Sequence, residues 1–397
     1  MKKQVLVIGP GMEIGGVEKS LLGLLDAMDY DQFDVDLFLF WHRGEWMPYI
    51  NKKVHLLPEY PPLALTNLPI ARLALQGHGY TAGIRAACKL YGDWRAKRLQ
   101  TAAVGKMLCQ RLAVQSMPAF PKEYDYALGF LLPHDLLTEK VKARVKIGWV
   151  HTDYTSKTER PDVAFLLPMW EKLNFIACVS EGVKRAFCTV FPMLSPKTVT
   201  IENILSPTLI EQQAGEADVS QEMPEEGGAK ILSVGRFCAA KAFDRIPRVC
   251  RQLKDQGYHF RWYLIGYGPE EGLIREQIRA CGMEERVILL GRKTNPYPYM
   301  KACSFYVQPS LYEGKAVTVR EAQALHKPVI ITRYPTADMQ LREGVDGYIC
   351  EQSEEGIGAV VRLFIDHPEI PARLAENTRK ISFDASAEIG KLWALEK

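Results

Sequence analysis

The chain opens with an uninterrupted apolar run, Val5-Leu6-Val7-Ile8, that stops at Gly9-Pro10-Gly11. A run without alternation is what a central parallel strand requires, because both of its faces are covered. Gly15-Gly16-Val17 follows, then a predicted helix from about Glu18 to Met28 with Leu21, Leu22 and Leu25 on one face, then a strand at Val35–Phe40. Strand, glycine-rich turn, helix and strand begin a doubly wound sheet. Further strands are expected at Tyr126–Phe130, Val145–Val150 and Asn174–Val179. The rhythm fades after Ile201. Residues 206–229 carry Pro207, Pro224, Gly227-Gly228 and several Gln and Glu, which is the composition of a linker.

A second alternation then starts afresh. Strands are predicted at Lys230–Val234, Arg261–Ile265, Val287–Leu290, Phe305–Gln308 and Pro328–Thr332, and helices at Arg245–Gln256, 270–281, 296–302 and 317–326. The expected fold class is therefore α/β, with two Rossmann-like domains facing across a cleft. The first domain occupies 1–205 and the second 230–380. Ligands of such sheets bind beyond the carboxyl ends of the strands.

Composition narrows the class without changing it. At 397 residues, 47% hydrophobic and 24% charged, the chain reads as an ordinary globular protein long enough for two cores. A formal net charge of +3 does not by itself indicate a nucleic-acid partner. Nine cysteines without a C-x-x-C pair suggest neither a disulfide framework nor a zinc site; Cys109, Cys178 and Cys303 read as small core residues in a reducing cytoplasm. The first apolar run is too short for a signal peptide, and no stretch approaches the roughly 20 apolar residues that cross a bilayer. The expected location is cytoplasmic, with peripheral attachment to the inner face of the membrane open.

That last point comes from residues 61–122, where nine Lys and Arg face a single acid, Asp93, with Leu, Ile, Tyr91 and Trp94 interleaved. One reading is a solvated helical insertion. The other is a basic amphipathic surface that docks on anionic lipid. No nucleic-acid module accompanies the charge.

The chemistry concentrates in Pro309-Ser310-Leu311-Tyr312-Glu313-Gly314-Lys315-Ala316-Val317-Thr318-Val319-Arg320-Glu321. A strand ends, a turn follows, and a helix starts near Val317, whose free N–H groups and positive dipole end suit an anion. Glu313 and Glu321 lie at most about 12 Å apart along the helix axis. Carboxylates flanking an anion site can grip hydroxyls at both ends of a sugar–diphosphate–ribose ligand.

In this context the Glu313-x7-Glu321 spacing resembles the signature of the retaining glycosyltransferases of family 4, which have the two-domain GT-B fold, and in particular the branch that builds bacterial surface polysaccharides. Ser233-Val234-Gly235-Arg236 followed by Lys241 resembles the family's diphosphate-binding element, so Arg236 and Lys241 would hold the donor diphosphate. Ile265-Gly266-Tyr267-Gly268-Pro269 and Leu290-Gly291-Arg292 are similar to the turns that line the nucleotide pocket, placing Gly268 and Arg292 there. Gly15 and Gly16 match the early glycine loop that approaches phosphate and sugar, and Trp149-Val150-His151-Thr152-Asp153 resembles the strand end whose histidine meets the donor sugar. By the same resemblance Glu313 binds sugar hydroxyls, Glu321 the ribose, and Ala316, Val317 and Thr318 the diphosphate. A final helix within 381–397 would pack back on the first domain.

The resemblance implies a hexosyl transfer from a nucleotide-sugar, UDP-linked by family frequency, to a glycan or lipid-linked glycan acceptor. Two cations on the diphosphate make a metal unnecessary, and no cofactor is expected. No second carboxylate is clearly placed for a glycosyl-enzyme; attack on the same face, with the leaving phosphate taking the acceptor's proton, is the expected mechanism. The chain departs from the family at Lys315, Ala316 and Ala242, where an aromatic residue and glycines are commoner. A nucleotide-sugar epimerase of the same fold, or a non-catalytic nucleotide-sugar-binding subunit, is the alternative. Gly9, Gly11 and Gly15 miss the G-x-G-x-x-G spacing of a dinucleotide enzyme, and no G-x-S-x-G supports a hydrolase.

Overall fold

The computed structural model describes residues 2–13, 15–152, 154, 160–313, 316–381 and 386–396. Two compact units emerge, Met1–Leu205 with Ala385–Lys397, and Ser206–Asp384. Each is built around one parallel sheet.

In the first unit the strands are β1 (Lys3–Gly9), β2 (Phe33–Leu39), β3 (His55–Leu56), β4 (Glu123–Gly129), β5 (Lys142–Val150), β6 (Phe175–Cys178) and β7 (Thr198–Thr200), in the order β3-β2-β1-β4-β5-β6-β7. Val7 pairs with Leu37 on one side and Leu128 on the other, all fully buried, which is why β1 reads as a solid apolar run. The helix Gly16–Asp26 covers the sheet with Leu21, Leu22, Leu24 and Leu25. Its Gly23 lies against the Ile204 carbonyl, where a Cβ would come within 2.1 Å of the oxygen.

Residues 61–122 form the helices Pro61–Ala64, Ile70–Leu75, Gly79–Leu99 and Gly105–Ser116. The last two cross closely. A Cβ on Gly92 would sit 2.4 Å from Gly105 N, and one on Gly105 would sit 2.6 Å from Cys88 O. Half-buried ion pairs attach this insertion to the starts of the helices Asp135–Lys140 and Val163–Glu171: Arg111 to Asp135, and Arg95 to Asp162.

The chain ends on the first unit. In the helix Ser386–Trp393, Trp393 stacks on Phe33 with centroids 4.2 Å apart and meets Tyr126 edge-on at 4.9 Å. The Glu202 amide donates to Glu388 Oε2 at 2.9 Å.

The second unit holds β8 (Ala229–Val234), β9 (Phe260–Ile265), β10 (Val287–Gly291), β11 (Phe305–Gln308), β12 (Val329–Thr332) and β13 (Tyr348–Cys350), ordered β10-β9-β8-β11-β12-β13. The helix Ile246–Asp255 buries Ile246, Val249, Cys250 and Leu253 against it. Part of the segment read as a linker is structured. Pro207–Ala214 is a helix, with Ser206 Oγ accepting from Leu209 N and proline in its first turn. Its far end is tied into the second unit by Asn295, whose Nδ2 donates to Gln213 O at 2.7 Å.

Cys109, Cys178 and Cys303 are buried, and burial pushes the thiols of Cys109 and Cys303 up to about 11. Among the described residues no helix is long and apolar enough to cross a membrane.

Candidate functional site

Both sheets reverse their winding between their first and fourth strands, at β1/β4 and at β8/β11. Such reversals leave a crevice where flanking helices diverge, and ligands of open α/β sheets bind there. In the second unit the sequence-selected residues gather at this point. Gly235 and Arg236 follow β8, and Glu313 follows β11.

Lys241 Nζ lies 2.5 Å from Glu313 Oε1, with both side chains mostly shielded from solvent. The same oxygen accepts from Ser310 Oγ at 2.6 Å and lies 3.5 Å from Gln308 Nε2. Gln308 Nε2 donates to Ser310 Oγ at 2.9 Å, while its Oε1 accepts from Tyr306 OH at 2.5 Å and Thr318 Oγ1 at 3.3 Å. Glu313 is thus held by a lysine from the β8 side and a buried polar ladder from β11. All the bonds to its carboxylate among the described residues fall on Oε1. Ser310 and Gln308 were not singled out from sequence; an ordinary serine and glutamine at a strand end carry no signal of this role.

Backbone contacts tie the strand-end turns together. Gly235 N donates to Ile265 O, Phe237 N to Tyr267 O and Gly266 N to Gly291 O, all at 2.9–3.0 Å. The glycines here make room for protein backbone. A Cβ on Gly266 would lie 1.9 Å from Gly235 O, and one on Gly268 would lie 2.2 Å from Phe237 O. Arg236 is exposed, and the Arg292 guanidinium lies over the Tyr267 ring at 5.2 Å. Ala242, where a glycine was expected, has a left-handed backbone with φ +51°, a conformation glycine adopts without steric cost.

Two expectations shift at the helix Val317–Ala324. The Ala316 N–H, assigned to the diphosphate, donates instead to Gln340 Oε1 at 2.8 Å, and Ala316 is buried. The amides of Val317 and Thr318 remain as the first-turn donors. Glu321 is fully buried, and Tyr297 OH donates to its Oε1 at 2.8 Å. It is a carboxylate beneath the surface. Gly314 and Lys315 lie outside the described residues.

In the first unit His151 follows β5, and its Nε2 bonds to Phe130 O at 2.8 Å. Nε2 must carry the proton to do so, which leaves Nδ1 as an acceptor. Burial pushes this imidazole down to about 4, so it is neutral at pH 7. It lines a cavity of about 110 Å³ with Met107, Leu131, Trp149, Asp162 and Leu166. Asp153 lies outside the described residues. His134 is entirely buried beneath Gly129 and Gly148, a core residue.

Gly15 caps the helix Gly16–Asp26, and a residue the sequence did not flag sits over it. Glu18 Oε2 is where a Gly15 Cβ would be, 2.2 Å away. Burial raises the Glu18 carboxyl to about 7, with Glu13 adding to the shift. The helix start expected to face a donor anion is therefore lined by the chain's own acid.

Among the described residues no group of three or more His, Cys, Asp or Glu side chains is placed to hold a metal ion.

The fold is that of the GT-B glycosyltransferases, and residues 216–381 match the model of a family described as glycosyl transferases group 1. The crystal structure of Anabaena HepE in complex with UDP-glucose superposes with a TM-score of 0.68 at 15% identity, covering 99% of this chain and 98% of that one. In sequence the chain is 30% identical over 178 residues to the putative glycosyltransferase EpsF of Bacillus subtilis, spanning 41% of this chain and 43% of EpsF. It is 31% identical over 111 residues to a Campylobacter jejuni enzyme, N-acetylgalactosamine-N,N'-diacetylbacillosaminyl-diphospho-undecaprenol 4-alpha-N-acetylgalactosaminyltransferase, spanning 28% of this chain and 30% of that enzyme. The chain spans less than half the length of the curated relatives it matches.

Proposed function

We propose that this chain is a retaining, metal-independent glycosyltransferase of family 4. It moves a hexosyl unit from a nucleotide-sugar, a UDP-sugar by preference, to a glycan or lipid-linked glycan acceptor in surface polysaccharide synthesis. The observation that carries the reading is the Lys241–Glu313 pair at the β8/β11 reversal, inside the segment the family model matches. The UDP-glucose complex of HepE supports the choice of nucleotide, and the undecaprenol-linked substrate in the Campylobacter enzyme's name supports the acceptor class.

In this reading Arg236 and Lys241, with the amides of Val317 and Thr318, hold the diphosphate. Their charge stabilises the leaving group as the C1–oxygen bond breaks. Glu313 is fixed through Oε1 and accepts sugar hydroxyls through Oε2. The acceptor oxygen bonds to C1 on the face the diphosphate leaves, and its proton passes to the departing phosphate oxygen. Neutral His151 accepts a hydrogen bond from a sugar hydroxyl at Nδ1.

Calorimetric titration with UDP, GDP and ADP, each with and without EDTA, tests the reading. Binding of one nucleotide that EDTA leaves unchanged and Arg236→Ala weakens at least tenfold is expected. Binding of none, or only with a divalent ion, overturns it. Glu313→Gln should cut turnover of the matching sugar donor about a hundredfold while changing nucleotide affinity little. Equal losses in both would remove Glu313 from its role. The anomeric configuration of the product, read by NMR, decides retention.

A further inference from the structure

The helix Gly79–Leu99 presents a solvent face that carries several exposed large apolar side chains. At about 100° per residue, positions 80, 83, 87, 90, 91, 94, 97 and 98 fall within a sector of about 120°. All eight are exposed, and they read Tyr80, Gly83, Ala87, Leu90, Tyr91, Trp94, Lys97 and Arg98. Tyr80 is 85% exposed, Leu90 71% and Trp94 53%, and just before the helix Leu75 is 89% exposed. The opposite side is committed to the fold through buried Ala82, Cys88 and Gly92. A helix that buries one apolar face and exposes a second has an unfilled demand.

The charges on this segment say what fills it. The single acid of residues 61–122, Asp93, lies off the stripe and is paired with Lys89 at 2.5 Å. Arg111, Lys122 and Arg95 turn inward to Asp135, Asp36 and Asp162. The cations left on the outer surface include Arg72, Lys97 and Arg98, all exposed, with the Arg98 guanidinium over the Trp94 ring at 5.5 Å. Aromatic and leucine side chains flanked by exposed Arg and Lys match a bilayer boundary, where rings settle among the headgroups and cations meet lipid phosphates. A second copy of this face would set cation against cation. A nucleic acid would need cations along the length of the stripe, and its centre is apolar.

We propose that this face docks the protein on an anionic lipid surface. The docking helix is also joined to the His151 end of the first sheet. Arg95 Nη2 donates to Asp162 Oδ1 at 3.1 Å, Ala102 N donates to Arg160 O at 2.7 Å, and Asp162 lines the His151 cavity. A lipid-anchored acceptor would therefore meet the protein on the unit that carries this cavity; that consequence rests on the functional reading above, while the docking itself does not.

The test is flotation of the full chain with vesicles of phosphatidylcholine alone or containing one-third phosphatidylglycerol. Partitioning roughly tenfold greater onto the anionic vesicles, falling with added salt, is expected. The double variants Leu90→Ser/Trp94→Ser and Lys97→Glu/Arg98→Glu should each lose most of it while binding nucleotide like the parent. Trp94 emission should shift to the blue with vesicles, a shift absent in Trp94→Phe. No preference for the anionic vesicles, or variants that float like the parent, overturns the proposal. A dimer in solution that the Leu90→Ser/Trp94→Ser change splits would overturn it in favour of a second copy. Loss of nucleotide binding in the parent with vesicle binding intact would count against the transferase reading alone.

Discussion

Glu18 and His151 show how burial, more than sequence neighbours, sets the charge of a polar side chain. Glu18 is raised from 4.5 to about 7 because its carboxyl closes over Gly15 out of water. The folded state then holds its proton more tightly than the unfolded chain, so stability present below pH 4.5 is lost as pH rises toward 7. Glu18→Gln should stabilise the protein against urea at pH 8 by about 2 kcal/mol and leave it nearly unchanged at pH 4.5. His151 runs the other way, from 6.5 down to about 4. The unfolded chain takes up its proton first, so acid between those values costs stability, and His151→Gln should flatten that part of the pH–stability curve. Neither shift was legible in the sequence. Nothing in Gly-Gly-Val-Glu reveals that the glutamate folds back, and the partner of the Ala316 amide is a glutamine 24 positions away. What the sequence did offer was Glu313 with Lys241, because an acid after a strand end and a base in the matching turn are visible as residue types.

Strands were the most readable elements. Interior strands such as β1, β6 and β12 are short apolar runs, since parallel neighbours and helices cover both faces, while β2, β4 and β5 become apolar only toward their carboxyl ends. Residues 207–214 were read by composition, although Ser206 before Pro207 is a helix-start signal of its own. The glycines of the insertion carried no pattern at all, yet they decide its packing. Gly92 and Gly105 let two helices touch backbone to backbone. Gly105→Val should force them apart and cost about 2–3 kcal/mol in urea unfolding, with Gly83→Ala, which meets open space in a helix interior, as a control that should stabilise by about 0.5–1 kcal/mol.

At the level of the whole chain the two repeats of βα alternation announced two α/β units, and the polar stretch between them marked the first crossing. The second crossing had no such marker; it was expected by analogy with the fold. Trp393 rests on Phe33 of β2 and Tyr126 of β4. Trp393→Ala should lower the stability of the first unit by about 2 kcal/mol while leaving nucleotide binding by the second intact, as denaturant titrations with and without UDP would resolve. The order of synthesis gives that contact a further meaning. The second unit is one continuous stretch, Ser206–Asp384, and can complete itself as soon as it leaves the ribosome. The first begins earlier and finishes later, since Phe33 waits with its face open until Trp393 has been translated, so a nascent chain stalled between Asp384 and that residue carries the whole sequence of the second unit and an unfinished first.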